Sequence, residues 1–215
     1  MKTKRITESA MLIAMAVVLE LVSKAIIPEM PFGGQVTVCA MLPVVLISYR
    51  HGVRWGFAAG AAYAMVQMLL GARTVAAAFQ PGYFGDGTLI ANALIMCALD
   101  YLLAFTLLGL GGCLRSRIGK PGTALMLGSL VALLGRYVAH VLSGYILFSG
   151  WAEWFFTQEG FPAWGQSLVA ALSPGMLGFV YSLVYNGMYM VPEMILTAVA
   201  AALLGRNPKI AAKVS

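Results

Sequence analysis

The chain has 215 residues, of which 60% are hydrophobic and 10% are charged, against about 25% charged in a typical globular protein. This composition excludes a soluble protein, a disordered chain and a fibre, and its three scattered cysteines exclude a disulfide scaffold. The net charge of +6 comes from basic residues that lie between apolar segments, so it predicts no nucleic-acid-binding face. An integral membrane protein, with the lipid bilayer as a partner, remains.

Six apolar segments are near the length of about 20 residues that a helix needs to cross a bilayer. They are 6–27, 36–49, 53–71, 88–113, 123–148 and 174–204. The first follows a basic N-terminus but lacks a cleavage site, so it predicts a membrane helix rather than a signal peptide. The second is short and contains Pro43, so we expect it to be tilted, kinked or only partly spanning. The fold class is therefore all-α, with residues 1–215 as one six-helix membrane domain.

The distribution of Lys and Arg predicts the orientation, because cytoplasmic loops retain positive charge. With the N-terminus inside, eleven of the fourteen basic residues become cytoplasmic. These are Lys2, Lys4, Arg5, Arg50, Arg54, Arg115, Arg117, Lys120, Arg206, Lys209 and Lys213. Only Lys24 and Arg73 fall outside, and Arg136 is intramembrane, so we expect both termini in the cytoplasm.

Two outer connections differ from the other loops. Residues 149–173 contain three of the four Trp, two Glu and no basic residue. They are either an interfacial aromatic anchor or a lid over an outward-facing pocket. Residues 73–87, which are punctuated by Gly and Pro, are a second candidate lid.

Five ionisable residues lie within apolar segments, where each costs about 2.5–3.5 kcal/mol at mid-membrane depth. They are Glu20, Asp100, Arg136, His140 and Glu193. Helix geometry places Asp100 and Arg136 near the bilayer midplane, where they could pair directly or share a ligand. Glu20 and Glu193 lack a comparable polar cluster, and for them we favour a structural role.

Polar residues recur at helical spacing in the fifth and sixth segments. Arg136, His140 and Gly144 share one face of the fifth, and Ser182, Asn186 and Tyr189 share one face of the sixth. Such faces suit a binding pocket, but an Asp–Arg pair with a nearby Asn could instead only fasten three helices together.

Catalysis is not supported by the sequence. Ser143 lies three residues from His140 but has no Gly-x-Ser-x-Gly setting. No Cys/His spacing resembles a zinc site, and no Gly-rich loop with Lys-Ser/Thr could bind ATP. We therefore expect no enzyme, no catalytic residue, no metal and no cofactor.

Several sequence blocks together resemble one family. Phe32-Gly-Gly-Gln-Val-Thr-Val-Cys-Ala-Met-Leu-Pro43 is followed by Leu46-Ile-Ser-Tyr-Arg-His-Gly52, and further on come Leu99-Asp-Tyr-Leu-Leu-Ala-Phe105, Gly135-Arg-Tyr-Val-Ala-His-Val-Leu-Ser-Gly144 and Tyr181-Ser-Leu-Val-Tyr-Asn-Gly-Met-Tyr-Met-Val-Pro192. In this order they resemble the thiamine-specific S components of energy-coupling factor (ECF) transporters.

The resemblance implies an S-component fold in a bacterial cytoplasmic membrane that captures thiamine from outside. It implies a coupling transmembrane subunit and two ATPase subunits as partners, with ATP used by the partners. Docking on the coupling subunit is implied at Ala10 and Ala14, which match a family motif of small residues on helix 1.

The resemblance also implies the thiamine-binding residues, which are Tyr63, Asp100, Tyr101, Arg136, His140, Gly144, Phe148, Tyr181 and Asn186. Some relatives have Glu at position 100, Trp at positions 34 and 148, and Glu at position 38. Phe148 can still stack on a ligand, whereas Gly34 and Val38 cannot replace what they lack. We therefore expect part of the pocket wall to come from elsewhere, such as 149–173.

Thiamine combines a cationic thiazolium with a flat aminopyrimidine, which call for a buried carboxylate, aromatic faces and fixed hydrogen-bond partners. Asp100 would offset the cation or bind the amino group, and Arg136 would neutralise or orient Asp100. Two alternatives stay open: an S component for another vitamin or a thiamine precursor, and a membrane scaffold whose polar cluster is structural.

Overall fold

The computed structural model describes residues 2–30, 33–84 and 89–211. Phe32 of the first sequence block, residues 85–87 of the second outer connection and residue 88 of the fourth segment lie outside them. Within the described residues every regular element of three or more residues is a helix, which confirms the all-α fold class.

Ten α-helices follow one another along the described chain. They are α1 (Lys2–Ile26), α2 (Leu42–His51), α3 (Val53–Leu70), α4 (Ala72–Ala78), α5 (Leu89–Met96), α6 (Pro121–Phe148), α7 (Ala152–Phe156), α8 (Trp164–Ala171), α9 (Pro174–Leu204) and α10 (Pro208–Ala211). The end of α5 continues without a break into a π-helix (Cys97–Leu103), one α-helical turn (Ala104–Thr106) and a 3₁₀-helix (Leu107–Gly112).

Four helical stretches of the described chain are long and apolar enough to cross a membrane: Thr3–Ile26, Ile90–Gly112, Pro121–Phe156 and Pro174–Leu204. A fifth arises if α3 and α4, which meet at a bend of 78°, form one broken span. Six spans with both termini inside therefore remain a prediction.

The second predicted segment is only partly helical. Residues 36–41 are irregular, and α2 has ten residues, so it rises about 15 Å where the hydrocarbon core is about 30 Å thick. Pro43 lies in the first turn of α2, where the missing N–H removes no helical hydrogen bond. Pro43 therefore starts this helix rather than kinking it, and of the six predicted spans the second, 36–49, is the least supported.

Glu193 fixes the irregular segment before α2 onto α9. Its side chain is buried, and its Oε2 accepts a 2.6 Å hydrogen bond from the backbone N–H of Thr37. The Thr37 hydroxyl lies 2.8 Å from Oε1 and 2.7 Å from Oε2. This arrangement agrees with the structural role expected for Glu193.

Arg50, at the end of α2, joins three helices. Its guanidinium forms an ion pair with Glu8 of α1 and donates a 2.6 Å hydrogen bond to the carbonyl of Ile210 in α10. Lysine and arginine suit this position because helix C-terminal carbonyls attract positive charge.

Candidate ligand-binding site

A cavity of about 170 Å³ lies between α1, the segment before α2, α3, α4, the π-helix, α6 and α9. Its wall combines ionisable and aromatic side chains. The wall includes Glu20, Lys24, Glu29, Gly34, Gln67, Tyr83, Asp100, Tyr101, Phe105, Arg136, His140, Gly144, Phe148, Tyr181, Tyr185, Asn186 and Tyr189.

The structure brings eight of the nine predicted site residues to this wall. They are Asp100, Tyr101, Arg136, His140, Gly144, Phe148, Tyr181 and Asn186. The ninth, Tyr63, is fully buried and lies outside the lining set, with its hydroxyl donating a 3.0 Å hydrogen bond to Glu20 Oε2. It therefore supports a wall residue instead of facing the cavity.

Asp100 and Tyr101 are presented by the π-helix Cys97–Leu103. A π-helical turn contains one residue more than an α-helical turn and is frequent at functional sites. Asp100 Oδ1 lies 2.8 Å from His140 Nδ1, and Oδ2 accepts a 2.6 Å hydrogen bond from the hydroxyl of Ser143. Each carboxylate oxygen has two acceptor sites. Because one contact engages each oxygen and the cavity lies beside them, Asp100 can still accept from a ligand.

Arg136 reaches Asp100 through His140. Its Nε donates a 3.2 Å hydrogen bond to His140 Nε2, and its guanidinium carbon lies 4.7 Å from the centroid of the Phe105 ring. Arginine can only donate, so His140 Nε2 is the acceptor, and a neutral His140 carries its proton on Nδ1, toward Asp100. Arg136 thus sets the tautomer of His140, which is the orienting role considered for it from the sequence.

Asn186 cross-links α6 and α9 beside the cavity. Its amide nitrogen donates to the carbonyls of His140 (3.3 Å) and Ser182 (2.9 Å), and its amide oxygen accepts a 2.6 Å hydrogen bond from the Tyr189 hydroxyl. The shared face predicted for Ser182, Asn186 and Tyr189 is therefore present. A Cβ on Gly144 would lie only 2.3 Å from Ser182 Oγ, so glycine is needed at this crossing.

Aromatic rings supply much of the remaining wall. Phe148 contacts Tyr83 and Phe84, with ring centroids 6.3 and 5.4 Å apart. Tyr181 and Tyr185 line the cavity from α9 and are 5.7 Å apart. Flat rings at these positions suit a planar heteroaromatic ligand.

The expectation that 149–173 replaces missing wall was wrong. No residue of this segment lines the cavity; Phe155 packs behind the wall, with its ring centroid 5.2 Å from that of Tyr181. The second outer connection instead contributes Tyr83. Whether either segment moves as a lid stays a prediction.

Gly34 and Val38, the two residues expected not to replace a missing side chain, behave differently. Gly34 has a φ of +91°, and a Cβ there would lie 2.5 Å from the Tyr189 ring, so Tyr189 fills the space of a side chain. Val38 is 45% exposed. The wall is completed from α1 and α3, by Glu20 and Gln67.

Glu20 is a lining residue to which the sequence interpretation gave only a structural role. It is 5% exposed, lines the cavity and accepts hydrogen bonds from Tyr63 and from the Gln67 amide, while Lys24 Nζ lies 3.0 Å from its Oε1. The expectation that it lacks a polar cluster was therefore wrong. Tyr63 and Gln67, one turn apart in an apolar helix, were the signal that could have identified its partners.

The described residues contain no group of three or more His, Cys, Asp or Glu that could hold a metal ion. The cavity therefore combines the oriented carboxylate of Asp100, aromatic faces and the Glu20–Lys24 ion pair, an arrangement that suits a small ligand.

Comparisons with known proteins agree on one family. A family model described as "Thiamine transporter protein (Thia_YuaJ)" matches residues 6–212. The thiamine transporter ThiT of Bacillus subtilis (strain 168) is 32% identical over 209 residues, which cover 93% of this chain and 89% of that protein. A solved structure of ThiT from Listeria monocytogenes aligns with a TM-score of 0.64 over 98% of both chains, at 17% identity, and shows a similar fold.

Proposed function

This chain belongs to the thiamine transporter family, and from that premise we propose that it is the S component of an ECF-type vitamin importer that captures thiamine from outside. Membership of a transporter family agrees with the expectation that the chain is not an enzyme. The observation that carries the proposal is the oriented carboxylate of Asp100 at an aromatic cavity.

The charge of the cavity supports a cationic ligand. Its wall contains three carboxylates, Glu20, Glu29 and Asp100, and two basic side chains, Lys24 and Arg136. With His140 neutral, one negative charge remains, which complements the single positive charge of thiamine. Arg136 stacks on Phe105, so its charge is partly compensated by an aromatic face.

Each predicted residue receives a specific role in this proposal. Asp100 accepts a hydrogen bond from the ligand, with His140 and Arg136 fixing its orientation. Phe148, Tyr101 and Tyr181 provide ring faces, and Gly144 and Asn186 shape the wall between α6 and α9. Tyr63 acts through Glu20.

Under this proposal the partner subunits bind the ATP, and this chain contains no ATP-binding loop of its own. Ala10 and Ala14 are exposed one turn apart on the face of α1 that points away from the other helices. Small residues at this spacing let another helix approach closely. We assign this face to the coupling transmembrane subunit, which works with two ATPase subunits in a bacterial cytoplasmic membrane.

Titration of the purified protein in detergent with thiamine, followed by calorimetry and Trp fluorescence, tests the proposal. We expect one thiamine per chain, and we expect Asp100→Asn to weaken binding by about 10- to 100-fold, since a hydrogen bond to a charged group contributes about 1.5–3 kcal/mol. The variant should stay folded, because Asn still accepts from His140.

Three results would point elsewhere. Binding of riboflavin without thiamine would assign the site to another vitamin. Binding of a thiamine precursor alone would shift the substrate in the same way. No ligand binding together with a large loss of stability in Asp100→Asn would support a scaffold whose polar cluster joins helices.

A further inference from the structure

Two of the three carboxylates that line the cavity, Asp100 and Glu20, lie on different helices and have different partners. Asp100 lies on the π-helix and contacts His140 and Ser143. Glu20 lies on α1, and its two oxygens are used differently. Oε2 accepts hydrogen bonds from Tyr63 and Gln67 of α3, whereas Oε1 lies 3.0 Å from the ammonium of Lys24.

The contacts on Oε2 explain how α1 is fastened to α3, but they leave Oε1 unexplained. With one oxygen held by two donors, the carboxylate cannot turn away from the cavity. Its other oxygen faces a positive charge. A buried carboxylate that lost this cation without a replacement would be strongly destabilised. Glu20 therefore requires a cation next to Oε1.

Lys24 is a replaceable cation in this position. Its side chain is 35% exposed, against 6% for that of Glu20, so its ammonium can leave the ion pair and be solvated by water. Lys24 also lines the cavity, which places the ion pair inside the ligand-binding region. Its position thus marks where the cavity stabilises positive charge.

We propose that Glu20 is a specificity-determining residue that binds the positively charged ring of the ligand at Oε1, in exchange for Lys24, while Asp100 binds the hydrogen-bonding part. This inference rests on the proposed function. The exchange makes binding depend on the charge of the ligand. A neutral ligand of the same shape that leaves the Glu20–Lys24 ion pair in place has less room in the cavity. A neutral ligand that displaces Lys24 leaves Glu20 without a cation.

The test compares thiamine with its neutral thiophene analogue, in which carbon replaces the ring nitrogen. For Glu20→Gln we expect thiamine binding to weaken by about ten-fold or more and binding of the neutral analogue to change by less than about two-fold, because only the former loses a charge-assisted contact. Equal weakening of both ligands would show that Glu20 acts only on the fold and would overturn the inference.

Glu8→Gln is the matched control, since Glu8 lies on the same helix, forms an ion pair with Arg50 and is outside the lining set. The affinity of this variant for both ligands should stay within about two-fold of that of the unmodified protein, because a screened charge outside the cavity wall contributes little to binding. If Glu8→Gln discriminated against thiamine as strongly as Glu20→Gln, the effect would come from overall charge and the inference would fail.

Lys24→Met gives an independent test if Glu20→Gln does not fold. Removing the competing ammonium should tighten thiamine binding by about three-fold or more, and by more than it tightens binding of the neutral analogue, because only thiamine places a new cation beside Glu20. Unchanged or weaker thiamine binding would overturn the exchange. If the unmodified protein bound no thiamine, the proposed function itself would fail; if it bound thiamine but neither variant discriminated, only the role of Glu20 would fail.

Discussion

Gly144 determines how closely α6 and α9 approach beside the ligand cavity. We predict that Gly144→Ala lowers stability by about 1–3 kcal/mol, because its Cβ would be forced against Ser182 Oγ and the Asn186 amide. The same displacement should weaken thiamine binding. Thermal unfolding in detergent and calorimetric titration measure the two effects.

Gly150→Ala is the control for that substitution, because a Cβ at Gly150 meets nothing within 4 Å. It should leave both the unfolding temperature and the affinity unchanged. If Gly144→Ala behaved like Gly150→Ala, the crossing of the two helices would be looser than the structure shows.

Single residues also show what the sequence could and could not predict about the site. His140 and Arg136 were identifiable because they lie four residues apart on one helix, so helical spacing alone brings them together. Glu20 was misjudged because its partners, Tyr63 and Gln67, are more than 40 residues away in the chain. Contacts between helices depend on packing, which periodicity within one segment does not contain.

At the scale of elements, the attachment of residues 33–41 to α9 is the most testable feature. We predict that Glu193→Ala lowers stability by about 2 kcal/mol or more, because the buried N–H of Thr37 loses its acceptor. Thiamine affinity should also fall, since Gly34 and Thr37 line the cavity. Thermal unfolding with and without thiamine measures both.

Glu159→Ala is the comparison for Glu193→Ala, because Glu159 is exposed. It should change neither stability nor binding. An equally small effect of Glu193→Ala would mean that the segment before α2 is held by its other contacts.

The helical elements were predictable to different extents. The long segments 123–148 and 174–204 agree closely with α6 and α9, since continuous apolar composition over more than 20 residues is typical of a membrane-spanning helix. Residues 36–41 were assigned to a helix because their composition is apolar, but their backbone is held by contacts to α1 and α9 instead. The short helices α7 and α8 and the π-helix lack a distinctive pattern and were not predicted.

At the scale of the whole molecule, the outer face of α1 is available for a partner. Under the proposed function, we predict that Ala14→Trp prevents assembly with an ECF coupling subunit and abolishes uptake, because the indole would hold a second helix away from α1. Thiamine binding by the isolated protein should be unaffected. Co-purification of the subunits and uptake by cells measure the outcome.

Ile90→Trp is the matched control for Ala14→Trp, because Ile90 is 66% exposed on a different helix. This variant should assemble and transport normally. Normal assembly of Ala14→Trp would remove the α1 face from the proposed docking surface.

The orientation in the membrane is also testable. We predict that a fluorescent protein fused after residue 215 is bright and that alkaline phosphatase at the same place is inactive, because the distribution of positive charge predicts a cytoplasmic C-terminus. Phosphatase inserted after Gly160 should be active, since 149–173 is expected outside. An active C-terminal phosphatase would contradict the even number of spans.

The hydrogen bonds from Arg136 to His140 and from His140 to Asp100 have a consequence for phosphate esters of thiamine. Arg136 donates to His140 and His140 donates to Asp100, so these hydrogen bonds end on carboxylate lone pairs beside the cavity. A ligand whose phosphate oxygens faced Asp100 would bring two negatively charged groups together, and they would repel each other. Under the proposed function, we therefore expect phosphate esters of thiamine to bind with the phosphate turned away from the π-helix.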